Sequence, residues 1–142
     1  MTHPAKPVLV IGSLNMDLVA RCARLPAAGE TVAGRDFATV PGGKGANQAV
    51  AAARMGARVA MAGTVGADAF GAALRAGPAA DGIDITHLAA GAAPTGTALI
   101  LVDDTGANSI VVVPGANAET GPALIERALD GFPAPGVLLL QH

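Results

Sequence analysis

Short apolar runs, most of them closed by a glycine or a turn, set the rhythm of this chain. Val8-Leu9-Val10-Ile11 stops at Gly12, the form of a buried strand that opens into the polar loop Gly12-Ser13-Leu14-Asn15-Met16-Asp17. Residues 18–22, 31–33 and 37–40 read as further short strands around the turn Leu25-Pro26-Ala27-Ala28-Gly29-Glu30, together an antiparallel excursion. After the breaker Pro41-Gly42-Gly43-Lys44-Gly45, residues 46–55 favour a helix, and Gly56 stands where a left-handed C-terminal cap belongs. A strand over 58–61, a helix over 68–75 and a strand over 86–89 continue the alternation, with Gly77-Pro78 ending or kinking the second helix. Residues 97–102 and 109–113 flank Asp103-Asp104-Thr105-Gly106-Ala107-Asn108 as a hairpin. Thr120 is placed to cap a helix over 122–129, and 137–140 form one more buried strand. This order predicts an α/β fold with a parallel sheet covered by helices, and its last strand arrives with no helix to cover it.

Composition narrows the function classes. A chain of 142 residues has the size of one domain, and 51% hydrophobic against 14% charged residues excludes disorder as the dominant state. A formal net charge of −2, with Phe37, Phe70 and Phe132 as the only aromatic residues, offers neither a basic footprint for phosphates nor a platform for stacking bases. Nucleic acid is therefore not an expected partner. The apolar stretch 97–102 is too short for a bilayer and 49–67 is broken by Arg54 and Arg58, so no membrane span is expected. The N-terminal residues lack the apolar core of a signal peptide, and Cys22 is the only cysteine, so the chain reads as cytoplasmic and free of intrachain disulfides. His3 and His87 have no partner at metal-ligand spacing, and Cys22 reads as a small apolar filler.

The segment with most chemical content is Gly42-Gly43-Lys44-Gly45-Ala46-Asn47. Three glycines allow close backbone approach, and the helix start behind them presents free N–H groups beside Lys44, one of only two lysines. A phosphate-binding P-loop requires Gly at 38 and Ser or Thr at 45, where Ala38 and Gly45 stand, and the dinucleotide fingerprint after the first strand fails at Leu14. On the residues alone, the segment is either a ligand-approaching loop or a glycine-rich connection that turns a strand into a helix. Asn15 and Asp17 likewise divide between ligand contact and turn formation.

The stretch from Gly42 to Gly56 resembles the first signature of the ribokinase-like (PfkB) carbohydrate kinases. In register with that family are also Gly12-Ser13-Leu14-Asn15-Met16-Asp17, Pro26-Ala27-Ala28-Gly29-Glu30-Thr31, Gly63-Thr64-Val65-Gly66-Ala67-Asp68, Gly82-Ile83-Asp84, Thr95-Gly96-Thr97-Ala98-Leu99-Ile100 and Pro114-Gly115-Ala116-Asn117. The resemblance implies a ribokinase-like parallel sheet with flanking helices and a small antiparallel β lid built from strands within 18–40 and 97–113. It implies that Asn15, Asp17, Gly42, Gly43, Lys44 and Asn47 bind a pentose, with Gly42-Gly43 also the hinge of the lid. The implied reaction is ATP-dependent phosphorylation of D-ribose to ribose 5-phosphate with Mg2+ and a monovalent cation, K+, and lid strands would pair two copies into a homodimer.

By the same resemblance, residues 1–142 correspond to the N-terminal part of one such domain. The catalytic aspartate, the ATP site and the cation loops belong to a second half beyond His142, and a ribose-contacting Glu is expected two residues after the Gln that Gln141 resembles. No catalytic or metal residue is therefore assigned within these residues, and the 142-residue chain alone is expected to be inactive. The alternatives are another sugar or nucleoside kinase of the family, or a non-catalytic sugar-binding or dimerising fragment.

Overall fold

Both faces of Val8–Ile11 are apolar, so this strand is stable only with packing on each side of it. The computed structural model, which describes residues 6–132 and 136–141, places it inside a sheet. In chain order the elements are β1 (Val8–Ile11), β2 (Asn15–Cys22), β3 (Gly34–Gly42), α1 (Lys44–Arg54), β4 (Val59–Gly66), α2 (Ala69–Ala80), β5 (Asp84–Gly91), β6 (Thr97–Val102), β7 (Asn108–Val113), a 3-10 turn (Gly115–Glu119), α3 (Pro122–Asp130) and β8 (Val137–Leu140). One sheet is wholly parallel, in the order β5-β4-β1-β8. Its alternating side chains feed two cores. Val10, Val59, Met61 and Val65 pack with Leu14, Ala46, Ala49 and Leu74, while Leu9, Ile11 and Ala62 face Leu124 and Ala128 of α3 on the other side. Full burial of a large aliphatic side chain contributes about 1.5–3 kcal/mol, so these two layers carry the stability. Each of the ion pairs Arg21–Asp36, Arg24–Glu30, Arg35–Asp104 and Arg54–Asp81 has a partner more than half exposed and adds little beside them.

A second sheet rises from the first in the order β3-β2-β6-β7. Its strands occupy the segments expected of the antiparallel lid, but their pairing is mixed. The outer strands are antiparallel to their neighbours, whereas β2 and β6 run parallel at the centre. The reason is topological. β2 continues from the end of β1 and β6 from the end of β5, two parallel strands that reach the same sheet edge, so both enter the lid in one direction.

Other boundaries also move. β2 starts at Asn15, three residues before the expected strand, which places Asn15 and Asp17 on a strand instead of in a loop. Residues 31–33 are not a strand, because Cys22 pairs with Gly34 and the chain before Gly34 runs past the end of β2. Helix α1 begins at Lys44, and Gly56 has the left-handed φ of +88° expected after its end. Helix α2 continues through Gly77-Pro78 to Ala80. Pro78 deletes the bond its amide would give to the Leu74 carbonyl, but its ring is buried and its own carbonyl accepts from Ile83 N at 3.0 Å. Thr120 does not cap α3; Gly121 does so without a side chain, while the Thr120 hydroxyl donates to buried Thr64 Oγ1 at 2.9 Å. His3 and His142 lie outside the described residues.

One polar cluster ties the end of β4 to α2 and to the segment before β6. Asp68 Oδ1 accepts from Gly71 N (2.8 Å) and Thr95 Oγ1 (2.6 Å), Oδ2 accepts from Thr95 N (2.8 Å), and Thr95 Oγ1 accepts from Gly66 N (2.9 Å). The Thr95 hydroxyl, then the Thr95 and Gly71 amides, hold the Asp68 carboxyl below its ordinary range. A depressed carboxyl stabilises the fold above its unfolded-state pKa and loses that contribution as pH falls through the folded value. Asp68→Ala is expected to lower stability at neutral pH by about 1–2 kcal/mol in urea unfolding, with the gap to the parent closing in acid.

Candidate functional site

The short connection Gly12-Ser13-Leu14 lies directly against the start of α1, and glycine is what lets it lie there. A Cβ on Gly45 would stand 2.6 Å from the Gly12 carbonyl carbon and 2.8 Å from Ser13 N, and one on Gly43 would stand 2.7 Å from Leu14 Cα. These neighbours are backbone atoms with nowhere to move. Gly43 also has φ +97°, a left-handed conformation that a side chain would strain. Ala46 N donates to Ser13 O at 3.1 Å, and Gln141, the residue after β8, accepts at Oε1 from Ser13 N (3.0 Å) and Ser13 Oγ (2.5 Å). The connection is thus gripped between α1 and β8.

Around this contact the expected binding residues gather. Asn15 pairs with Gly42 across β2 and β3, and the Asp17 carboxylate lies over Gly42, where a Cβ would come within 2.7 Å of Oδ1. Gly43 follows, and Lys44 and Asn47 occupy the first turn of α1, both exposed. Neither makes a side-chain hydrogen bond or ion pair among the described residues, and the same holds for the Asp17 carboxylate. Partial burial without a partner pushes the Asp17 carboxyl above its ordinary range, desolvation being the cause. The surface therefore combines one carboxylate acceptor, one ammonium, two side-chain amides and a helix start without a side-chain cap. Such a set matches a polyhydroxylated ligand, each of whose hydroxyls both donates and accepts.

Two depressions of about 300 and 400 Å³ lie elsewhere, one at the lid tip beside Cys22 and Glu30, the other beside Asp68, Phe70, Thr97 and Val113. The gathered residues line neither of them and form an open surface. Among the described residues no three His, Cys, Asp or Glu side chains are grouped to hold a metal, and the glycine loop lacks the P-loop spacing. No contact to Mg2+, K+ or the phosphates of ATP is assigned to these residues.

Residue-level comparison settles the kinship. Residues 5–134 match the pfkB family of carbohydrate kinases. The chain belongs to this family. Ribokinase from Bacillus subtilis is 47% identical over 141 residues, an alignment that covers 95% of this chain and 46% of the relative. This pfkB-family chain thus spans about half the length of the curated relatives it matches. Its fold superposes on the structure of ribokinase from Giardia lamblia with a TM-score of 0.79 at 39% identity, over 87% of this chain and 38% of that one. It likewise superposes on Arabidopsis thaliana ribokinase complexed with ribose and ATP, with a TM-score of 0.70 at 35% identity, over 80% and 38%.

Sequence reasoning gave Asn117 no role, yet it is the most connected side chain of the site. Its Oδ1 accepts from Leu14 N at 2.9 Å, and its Nδ2 shares two hydrogens among three acceptors, Leu14 O, Asn15 Oδ1 and Pro114 O, at 3.0, 2.8 and 3.0 Å. The segment Pro114-Gly115-Ala116-Asn117 is turn-like in composition and in register with the family, and neither signal points to a role for the asparagine. Ser13 was passed over for the same reason.

An unpaired, partly desolvated carboxylate costs stability where it is ionised. Because its folded pKa is raised, Asp17 favours the fold at pH below the ordinary carboxylate range, and that contribution is lost as pH rises through the folded value. Asp17→Asn is expected to raise the melting temperature at neutral pH by a few degrees, with the gain vanishing in acid, and to weaken ligand binding. Gly45→Ala is expected to do the reverse for stability, lowering it by about 1–3 kcal/mol in urea unfolding, because the backbone contacts leave no room.

Proposed function

We propose that this chain carries the sugar-binding half of a ribokinase-type enzyme that transfers the γ-phosphoryl group of ATP to the 5-hydroxyl of D-ribose. The supporting observation is the convergence of Asn15, Asp17, Lys44 and Asn47 on the glycine contact at Gly42-Gly43, in a fold that superposes on a ribokinase complexed with ribose and ATP. In this reading Asp17 accepts from sugar hydroxyls, while Lys44 and the side-chain amides supply the complementary bonds. An analogue that lacks a hydroxyl leaves one of these groups unpaired, and the site rejects it for that reason. The ATP site, Mg2+, K+ and the general base come from a part of the enzyme outside residues 1–142, and no step of phosphoryl transfer is assigned here. Gly42-Gly43, at the junction of lid and helix, serves as the hinge on which β3-β2-β6-β7 closes.

The lid also favours a homodimer. Register places Leu99 and Val111 side by side on one of its faces, with Phe37 in the neighbouring row, and all three are exposed, Phe37 to 64% and Val111 to 61%. A contiguous apolar face of this kind marks an interaction surface. No described helix is long and apolar enough to cross a membrane, and the reading places the enzyme in the cytoplasm with its nucleotide.

The complete gene product, supplied with ATP, Mg2+, K+ and D-ribose, is expected to form ribose 5-phosphate, and residues 1–142 alone to give no turnover. Preference for adenosine or inosine over free ribose would move the assignment to a nucleoside kinase. Ribose binding with no turnover in the complete product would favour the non-catalytic module. In sedimentation the parent is expected as a dimer and Val111→Lys as a monomer; a monomeric parent would remove the lid interface.

A further inference from the structure

We infer that Asn117 is a positioning residue that fixes Asn15 as a hydrogen-bond donor toward the sugar, an inference that rests on the ribose-binding reading of the site. The argument begins with groups whose polarity cannot change. Leu14 N–H is a donor, and the carbonyls of Leu14 and Pro114 are acceptors. All three touch the Asn117 amide, at 2.9, 3.0 and 3.0 Å. Turned over, that amide would set its NH2 against the Leu14 N–H and its oxygen against two carbonyl oxygens. Only one orientation is therefore allowed.

Asn15 is then determined in turn. The atom it places 2.8 Å from Asn117 Nδ2 has to be an acceptor, so it is Oδ1, and the Asn15 NH2 group faces the other way. Gly96 makes this packing possible, since a Cβ there would stand 2.5 Å from Asn15 Oδ1 and 2.7 Å from Pro114 O. Along β2 the site thus presents a donor at Asn15 and, on the same face two residues later, an acceptor at Asp17. A sugar hydroxyl that accepts from Asn15 keeps its own proton for a carboxylate such as Asp17, and each of the two bonds strengthens the other.

Deoxy and deoxyfluoro analogues of ribose separate the two polarities, because fluorine accepts a hydrogen bond and cannot donate one. In calorimetric titrations of the complete gene product, the fluoro analogue at one hydroxyl position is expected to bind about fivefold more tightly than the deoxy analogue of that position, the size of one retained hydrogen bond. Asn15→Asp keeps an oxygen for Asn117 and puts an oxygen where the NH2 was, so the fluorine advantage should disappear. Asn117→Asp keeps the acceptor for Leu14 N but removes the donor to Asn15. The Asn15 amide should then reverse, with the same loss of the fluorine advantage and a KM for ribose about tenfold higher while kcat falls less. Should Asn117→Asp fail to give a cooperative melt, the parent series and Asn15→Asp decide the question without it. If ribose binds the parent and fluorine gives no advantage at any position, or the advantage survives in Asn15→Asp, the donor assignment is overturned and the ribose reading stands. Absence of ribose binding to the parent overturns the ribose reading, and the donor assignment with it.

Discussion

The backbone of Gly45 rests on the backbone of Gly12, and the arrangement of the site follows from that contact. With any side chain at 45, α1 would have to move away from the β1–β2 connection, because the nearest atoms are main-chain atoms at 2.6–2.8 Å. Lys44 and Asn47 would leave with it, since they sit on the first turn of the same helix. The contact also joins two kinds of structure. On one side is the parallel sheet, with Leu9, Val10 and Met61 completely buried; on the other is β2, which carries Asn15 and Asp17 out of the sheet and into the lid. A site built at this junction takes its precision from the buried sheet, and under the proposed reading the lid closes over it.

Stability and function are distributed accordingly. The interior of the parallel sheet is packed on both faces, while its edge strand β8, expected to be buried, exposes Val137, Leu138 and Leu140; in the lid every residue of β7 and all of β3 up to Pro41 are exposed. The lid is held mainly by its own strand pairing and by its roots in β1 and β5, a low-stability element of the kind that moves in ligand binding. Asp17 is placed at the boundary, with burial enough to raise its pKa and no partner among the described residues. Under the proposed reading, that cost in the unliganded fold is offset when the carboxylate accepts from a sugar hydroxyl.

Much of this was legible in the sequence because it depends on local pattern. The apolar run Val8-Leu9-Val10-Ile11, the hairpin at Asp103-Asp104-Thr105-Gly106 and the left-handed Gly56 each announce themselves within a few residues. The gathering of Asn15, Asp17 and Gly42 through Asn47 followed from the family resemblance, and the structure supplies its physical cause in the glycine contacts. What local pattern could not show was partnership at a distance. Nothing near Asp17 says that it lies on a strand, since that depends on Val40 and Ala98 pairing beside it. Nothing near Thr120 says that its hydroxyl prefers Thr64 to a helix cap. Pro78 is tolerated within α2 because its ring is buried, and burial is a property of the whole fold. Asn117 stayed hidden for the same reason: its partners Leu14 and Asn15 are about a hundred positions away.

The crystal structure of the complete gene product with D-ribose tests the central claim most directly. The account predicts the sugar beside Gly42-Gly43, with its hydroxyls within hydrogen-bond distance of the Asp17 carboxylate, the Asn15 NH2 and Lys44 Nζ. Ribose seated instead in the depression beside Asp68 and Phe70, or at the lid tip beside Cys22 and Glu30, would contradict it.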